Sequence, residues 1–349
     1  MRPCGTFDES YSQDMAICRT RFQWVMLILG LVLLFAVVPF FGYSWLNFIN
    51  LAAIFIVATL GLQIIMGYCG LVSIGHMAFI AVGAVVTASL THHLGWSWIA
   101  ALPVAVIVTA LVGLVFGLPT FRIKGFYIAL STMAAHFIII WVIVHGGEVT
   151  GGDSGLSVPP PAFGNIVIDS EGSFFYFNMI FLVLMTFLAK NLVRMKLGRA
   201  FIAIRDNDIA AEFMGINIFR YKLIAFVIGS AFAGVAGALL APYYGFILAD
   251  SFPFVESIWF IGYIIIGGVG SITGVYFGVI FFMVLKQLVL LGGPMVVVAF
   301  PAIGMGVVAS LLKMLFGLVI ILFLIFEPRG LYHRWEVVKS SIRLWPFPY

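Results

Sequence analysis

Charged residues are scarce in this chain of 349 residues. Asp, Glu, Lys and Arg together make up only 9% of it, whereas hydrophobic residues make up 63%. Soluble domains carry roughly 25% charged and about 45–50% apolar residues. A soluble fold of this size is therefore excluded, and the sequence predicts an all-α polytopic membrane protein.

Residues that would support catalysis or metal binding are also few. The three cysteines, Cys4, Cys18 and Cys69, form neither a disulfide framework nor a metal-ligand spacing. The chain has no H-E-x-x-H motif, no paired carboxylates and no Ser/His arrangement with a supporting acid. We therefore expect no catalytic residues and no metal site, and an intramembrane enzyme is disfavoured.

A nucleotide-binding loop is missing too. No G-x-x-x-x-G-K-[ST] phosphate loop occurs, and the glycine-rich stretches at 67–75 and 267–274 contain no Lys to neutralise a phosphate. We expect this chain to bind no cofactor. If ATP drives its activity, the nucleotide is bound by another polypeptide.

Long apolar stretches dominate what is present. A helix needs about 20 mostly apolar residues to cross the hydrocarbon core of a bilayer. The third, sixth and eighth stretches are short or interrupted by glycine, so each could be a half-span or a broken helix. The ten predicted spans are 22–43, 45–66, 71–90, 96–118, 126–144, 174–189, 223–246, 254–266, 269–291 and 302–326.

The basic residues fall on one side of this arrangement. Lys and Arg near span ends favour the cytoplasm. With the N-terminus inside and ten crossings, 16 of the 18 Lys and Arg residues lie inside, and the other two, Lys286 and Lys313, lie within spans. The sequence therefore predicts that both termini are cytoplasmic, and the net charge of +4 does not indicate a nucleic-acid partner. The charged residues of the outer loops are all acidic: Glu148, Asp153, Asp169, Glu171 and Asp250.

These spans define the expected domain organisation. Residues 1–21 form a cytoplasmic N-terminal segment, 22–328 the membrane domain and 329–349 a cytoplasmic tail. No small-residue cleavage site follows the first apolar run, so we expect an uncleaved span and not a signal peptide. The outer connection at 145–173 is rich in Gly, Pro and acids, and it is either a contact for an external partner or a plain connector.

The inner connection at 190–222 has helical periodicity of its own. Apolar residues recur there at intervals of three to five between charged ones, which is typical of an amphipathic helix. Asn207 or Asp208 is expected to cap a second short helix that ends near Gly215. This helix either lies in the headgroup layer or docks into another protein. The acids and the adjacent Ala210 and Ala211 favour docking, with Ala211 and Gly215 four apart on one face. The apolar positions are Phe201, Ile204, Ile209, Phe213 and Ile216.

Several motifs resemble one transporter family. Ile209-Ala210-Ala211, three residues and then Gly215 resemble the Glu-Ala-Ala-x-x-x-Gly coupling motif of ABC-importer permeases, with Ile209 in place of the Glu and Asp208 as the nearest acid. From about residue 45 to 328, the chain is similar to LivM-type permeases of branched-chain amino-acid importers. The segments that carry this resemblance are 67–79, 121–132, 150–157, 198–239 and 267–274.

The resemblance implies the fold, partners and location. It implies an integral subunit of the cell inner membrane, with a ten-span fold closer to the vitamin B12 importer type than to the maltose type. Its partners would be the lipid bilayer, a second permease, two cytoplasmic ATPases that bind ATP and Mg, and an external substrate-binding protein. The residues implied to couple to an ATPase are Gly198, Arg199, Arg205, Asp208, Ala210, Ala211, Glu212 and Gly215.

The cargo implied is a branched-chain or related apolar amino acid. A permease of a urea or short-amide importer is the nearest alternative, because it shares much the same pattern. An ion-coupled secondary transporter is disfavoured, because that mechanism usually needs acids deep in the membrane. Here each carboxylate lies in a loop or near a span end, and Glu256 comes closest to a span interior.

Polar residues within spans face protein or water because they are costly in lipid. Ser73 and His76 of the third span are candidates to line a substrate path, although each could instead make an interhelical hydrogen bond. Neither His76 nor His136 has companions at metal-ligand spacing. In the fifth span the candidates are Tyr127, Ser131, Thr132 and His136, which are predicted to share roughly one helical face.

The glycine patterns predict close packing between helices and interruptions of helices. The stripes Gly229/Ala233/Gly237 and Gly270/Gly274/Gly278 have small residues four apart, which lets helices approach closely in lipid. We expect packing within the chain more than an interface between subunits. The runs at 67–70 and 267–270 are either sharp turns or unwound backbone facing a cavity.

Overall fold

The computed structural model describes residues 21–38, 42–120, 127–163, 166–299 and 305–344. Most of the predicted N-terminal segment and residues 121–126 of one resembling segment lie outside the described residues. Within these ranges the chain forms thirteen α-helices: α1 (Arg21–Val37), α2 (Tyr43–Leu62), α3 (His76–His93), α4 (Trp98–Thr120), α5 (Tyr127–His145), α6 (Glu171–Arg194), α7 (Lys196–Asp206), α8 (Asp208–Phe213), α9 (Ile218–Tyr244), α10 (Phe254–Gly267), α11 (Ile272–Ala299), α12 (Met305–Phe326) and α13 (Gly330–Leu344).

All ten predicted spans overlap a helix, which confirms an all-α polytopic membrane protein. Seven helices of the described ranges are long and apolar enough to cross a membrane, or eight if Met314–Phe326 and Gly330–Ser341, bent by 46°, form one span. The first and third predicted spans correspond to α1 and α3, which are 17 and 18 residues long. Ten crossings and the side of each terminus stay predictions.

Helix α9 lies at the centre of the bundle and packs against α2, α3 and α4. A Cβ atom at Gly61 would lie 2.5 Å from the carbonyl oxygen of Gly229, and one at Gly83 would lie 2.5 Å from that of Gly234. A Cβ at Gly237 would overlap the backbone of α3 at Ile80. The predicted packing within the chain is therefore confirmed for α9, because its small residues bring the backbones into contact.

The third predicted span begins with non-helical backbone. Helix α2 continues as a π-helix over Gln63–Tyr68, and α3 begins only at His76, five residues after the predicted start. His76 Nε2 donates to the Ala58 carbonyl oxygen at 2.9 Å, and Ala58 is ten residues, or roughly 15 Å, from the Tyr68 end of its 26-residue span. Residues 69–75, hereafter the break, thus run as non-helical backbone and bring the start of α3 beside Ala58, inside the Tyr43–Tyr68 span.

The second glycine run is a sharp turn. Residues 268–271 connect α10 to α11, and the Ser271 amide donates to the Gly268 carbonyl oxygen at 3.3 Å. Gly268 and Gly270 adopt φ values of 126° and 78°, which L side chains rarely adopt. The run at 67–70 is also not unwound, because Gly67 and Tyr68 belong to the π-helix and Gly70 ends it with a φ of 75°.

Short strands order the long connection between α5 and α6. Strand β1 (Leu156–Ser157) pairs with β4 (Phe246–Ile247), and β2 (Ala162–Phe163) pairs with β3 (Ile166–Val167). His92 Nδ1 donates to the Ser157 carbonyl oxygen at 3.1 Å. The connection is therefore attached to the end of α3 and to the residues that follow α9.

Glu171 joins three helices at this same end. It was expected in the outer connection, but it is the first residue of α6. Its carboxylate accepts from Asn50 Nδ2 at 2.8 Å and from the Tyr243 hydroxyl at 3.0 Å. These charge-assisted hydrogen bonds tie α6 to α2 and α9 on the side opposite to the docking helices described below.

The backbone contact at Gly237 generates a stability prediction. Gly237→Leu should destabilise the folded chain by about 1–3 kcal/mol, because overpacking a close helix contact forces the backbones apart. Gly317→Leu is the matched control, because a Cβ at Gly317 has nothing within 4 Å. The measurement is the melting temperature of the detergent-solubilised proteins. Equal melting temperatures for the two variants would contradict the contact.

Candidate coupling and translocation site

Two short helices occupy the predicted inner connection. Because α6 ends at Arg194 and α9 begins at Ile218, the connection is 195–217, shorter than the predicted 190–222. We name residues 195–217 the docking segment. Asn207 Oδ1 accepts from the Ala210 amide at 3.0 Å and so caps α8. Gly215 follows α8 with a φ of 83°. The predicted cap and the predicted end of the second helix are confirmed.

The apolar residues of the docking segment face two directions. Phe201 and Ile204 of α7 are buried against the bundle, as a single amphipathic helix would require. Ile209 is 64% exposed, however, and Phe213 and Met214 are 87% and 83% exposed. We name these three residues the docking tip. The five apolar positions therefore do not form one face, because the Asn207 cap ends α7 and reorients α8.

Ala211 is not part of that exposed surface. Its side chain is 4% exposed and contacts the chain itself, whereas Ala210 and Gly215 are exposed. The expectation that Ala211 and Gly215 share one docking face is therefore wrong. The spacing rule for residues four apart holds only within a continuous helix, and α8 ends at Phe213, before Gly215.

Of the other predicted coupling residues, some are exposed and some make contacts within the chain. Arg199, Asp208 and Glu212 are exposed. A Cβ at Gly198 would overlap the backbone of Val193, so this glycine permits the tight bend between α6 and α7. Arg205 is different again, because its Nη1 donates to the Gly67 carbonyl oxygen at 2.9 Å.

Four of the six predicted path residues surround the start of α3. Ser73, His76, Thr132 and His136 are all buried, with at most 2% exposure. Thr132 Oγ1 accepts from the Ile74 amide at 3.0 Å. A Cβ at Gly75 would lie 3.4 Å from that of His136, so α5 packs directly against the break.

Tyr127 and Ser131 do not join this group. Tyr127 is 63% exposed, and Ser131 is half-buried. The predicted common face of α5 is wrong, because residues nine apart in a helix with 3.6 residues per turn lie on opposite sides. Tyr127 and His136 are separated by that spacing.

Sequence reasoning missed two residues that complete the arrangement. Ser257 Oγ of α10 accepts from the Met77 amide at 3.0 Å, and Gln63 Nε2 donates to the carbonyl oxygens of Gly268 and Ser271, both at 3.1 Å. Both side chains are fully buried. The available signal was a polar residue in an otherwise apolar stretch close to a glycine run.

The start of α3 is therefore capped by neighbouring helices. Its own N-cap, Gly75, supplies no side-chain hydrogen bond, and the first amides of a helix lack intrahelical partners. Thr132 of α5 and Ser257 of α10 accept from the Ile74 and Met77 amides instead. Hydroxyl and imidazole groups therefore dominate the buried side chains around the start of α3.

Comparisons with known proteins agree with this architecture. A family described as the permease component of branched-chain amino acid transport systems matches residues 44–324. The high-affinity branched-chain amino acid transport system permease protein LivM of Escherichia coli (strain K12) is 33% identical over 263 residues, which cover 68% of this chain and 62% of LivM. The match thus spans less than two thirds of that relative's length.

Relatives from an archaeon show the same likeness. The probable branched-chain amino acid transport permease protein LivM of Methanocaldococcus jannaschii is 25% identical over 256 residues, covering 70% of this chain and 71% of the relative. Its probable LivH is 27% identical over 209 residues, covering 58% and 66%. No solved structure matches the chain. The resemblance to LivM-type permeases is confirmed, and the chain belongs to the family of permease components of branched-chain amino acid transport systems.

Proposed function

We propose that this chain is the permease subunit of an ATP-driven importer of leucine, isoleucine, valine or related apolar amino acids in the cell inner membrane. The observation that carries the proposal is the family match over residues 44–324. The similarity to both LivM and LivH proteins supports pairing with a second, LivH-like permease. The chain itself is not an enzyme in this proposal.

The buried polar groups support a neutral cargo. Among the described residues, the buried polar side chains belong to Asn, Gln, Ser, Thr and His, and none to Asp, Glu, Lys or Arg. A path without fixed charges releases a zwitterion readily, so affinity would reside in an external binding protein. Glu256 is only partly buried. An ion-coupled secondary transporter therefore has little support, and the relatives favour amino acids over urea or short amides.

The docking tip supports an ATPase partner. Exposed apolar residues beside exposed acids are typical of protein contacts and not of a helix adsorbed to anionic lipid. Ile209 also lines a groove of about 560 Å³ together with Asp208, Glu212, Phe219 and Lys222. In the proposed complex, two cytoplasmic ATPases hold ATP and Mg, and one of them covers the tip.

The proposed topology follows from this contact. With the docking segment in the cytoplasm, ten crossings place both termini inside, with 1–21 and 329–349 as cytoplasmic segments flanking the membrane domain at 22–328. The connection at 145–173 then faces the external binding protein. The resemblance further favours the vitamin B12 importer type of permease.

The decisive experiment is uptake by the complete complex in vesicles. We expect uptake of labelled leucine that requires ATP and binding protein and is reduced at least tenfold by excess isoleucine or valine. Urea in excess should have no effect. Uptake of urea without uptake of leucine would contradict the proposed cargo, and leucine uptake without ATP would contradict the importer class.

Phe213→Asp tests the docking tip. Because Phe213 is 87% exposed, the substitution should leave insertion unchanged but lower the amount of ATPase recovered with this chain at least tenfold. Val149→Asp is the control, since Val149 is 67% exposed on the connection between α5 and α6. The measurement is co-purification of the ATPase with this chain. Full ATPase recovery with Phe213→Asp would contradict the proposed contact between α8 and the ATPase.

Cysteine labelling tests the topology. In a chain whose Cys4 and Cys18 are replaced by serine, the remaining Cys69 is buried and should not react. Asp153→Cys should react with an impermeant maleimide added outside intact cells, whereas Asn207→Cys should react only after permeabilisation. Both positions are exposed in the isolated chain. Labelling of position 207 from outside would overturn the model of both termini inside.

A further inference from the structure

Arg205 lies where the docking segment meets the membrane helices. It is near the end of α7, and its side chain is 32% exposed. Nε and Nη2 donate to Asp206 Oδ1 at 3.0 and 2.8 Å, while Nη1 donates to the Gly67 carbonyl oxygen at 2.9 Å. The planar guanidinium is therefore oriented by Asp206 on one edge and bonded to the π-helix at the end of α2 on the other.

Two glycine turns enclose this side chain. A Cβ at Gly70 would lie 3.1 Å from Arg205 Cγ, and a Cβ at Gly270 would lie 2.7 Å from Nη1. Gly70 and Gly270 adopt φ values of 75° and 78°. Arg205 thus occupies the space between the start of the break and the α10–α11 turn, and it fits there because Gly70 and Gly270 have no side chain.

Gln63 joins the same two elements from within the bundle. It belongs to the π-helix, and its amide donates to the carbonyl oxygens of Gly268 and Ser271 in the turn. A Cβ at Gly67 would lie 2.8 Å from the Gly270 amide nitrogen. The π-helix and the α10–α11 turn therefore form one hydrogen-bonded unit, and Arg205 bonds the docking segment to it.

The break carries this connection to the start of α3. Only residues 69–75 separate the π-helix from α3. The amides of Cys69, Gly70 and Leu71 donate to carbonyl oxygens of the π-helix at 3.1–3.2 Å, so the first part of the break moves with the π-helix. The start of α3 is in turn held by Thr132 of α5 and Ser257 of α10. A shift of α7 would thus act on both helices that cap α3, through the break on one side and through the α10–α11 turn on the other.

We propose that Arg205 is a positioning residue that transmits movement of the docking segment to the break and to the α10–α11 turn, and so couples ATP hydrolysis to opening of the path at α3. This inference rests on the proposed function. It assigns Arg205 a role distinct from ATPase contact, because its donors are bonded to Asp206 and Gly67 within the chain. Lysine would not substitute fully, since an ammonium lacks the fixed fork of a guanidinium.

The test compares variants in the complete complex reconstituted in vesicles. The complex that carries Arg205→Met should contain the ATPase subunits in normal amount and should hydrolyse ATP at the normal rate. The number of leucine molecules taken up per ATP hydrolysed should nevertheless fall at least tenfold. Arg205→Lys should give an intermediate ratio. Lys196→Met, which removes one charge from an exposed position of the same helix, should leave the ratio unchanged.

A second variant displaces the guanidinium without removing it. Gly270→Ala places a methyl group 2.7 Å from Nη1 and should lower the ratio as Arg205→Met does. Its control is Gly245→Ala, because Gly245 has a similar φ of 69° but nothing within 4 Å of an added Cβ. A normal ratio in this control separates displacement of Arg205 from backbone strain.

The possible contrary outcomes distinguish failure of the inference about Arg205 from failure of the proposed function. An unchanged ratio in Arg205→Met would overturn the inference, and so would loss of ATPase recovery, which would make Arg205 a docking contact. Low membrane abundance of both Arg205→Met and Gly270→Ala would likewise overturn it, because Arg205 would then serve folding. Failure of the unaltered chain to assemble with ATPases would instead refute the proposed function itself.

Discussion

Backbone within a membrane must have its hydrogen bonds satisfied by the protein, and the start of α3 inside the bundle depends on that constraint. The break can stay unwound only because other helices bond to it. Thr132 accepts from the Ile74 amide of the break, Ser257 accepts from the Met77 amide of α3, and His76 of α3 bonds to α2. The positions of α2, α5 and α10 around α3 therefore follow from where α3 begins.

Close packing around α9 supports the same arrangement. Glycines at the contacts of α9 with α2 and α3 allow backbone to meet backbone, so the two neighbours of the break are held at fixed separation. The hydrogen bonds of Glu171 add a second attachment at the far end of α2 and α9. Glu171 thus joins α2, α6 and α9 at one end of the bundle, and Arg205 bonds the docking segment to the π-helix at the other.

Much of this fold could be predicted from the sequence, because long apolar stretches and glycine stripes have strong periodic signals. The start of α3 was misplaced by five residues, since apolarity continues through the break and only tertiary hydrogen bonds mark where the helix begins. Tyr127 was grouped with His136 although nine residues span two and a half turns. The burial of Ala211 is not predictable from spacing, because it depends on how the Asn207 cap orients α8 against the rest of the chain. Gln63 and Ser257 were missed because isolated polar residues in apolar stretches reveal no partners.

The exposed docking tip has a consequence for the life of the protein in the cell. Phe213 and Met214 are almost fully solvent-accessible in the isolated chain, and uncovered apolar groups of this kind promote aggregation and recognition by proteases. A copy synthesised in excess of the subunit that covers this tip would be short-lived. The steady-state amount of the chain should therefore follow the supply of that subunit, so that subunit stoichiometry is enforced after translation by one six-residue helix and the residue that follows it.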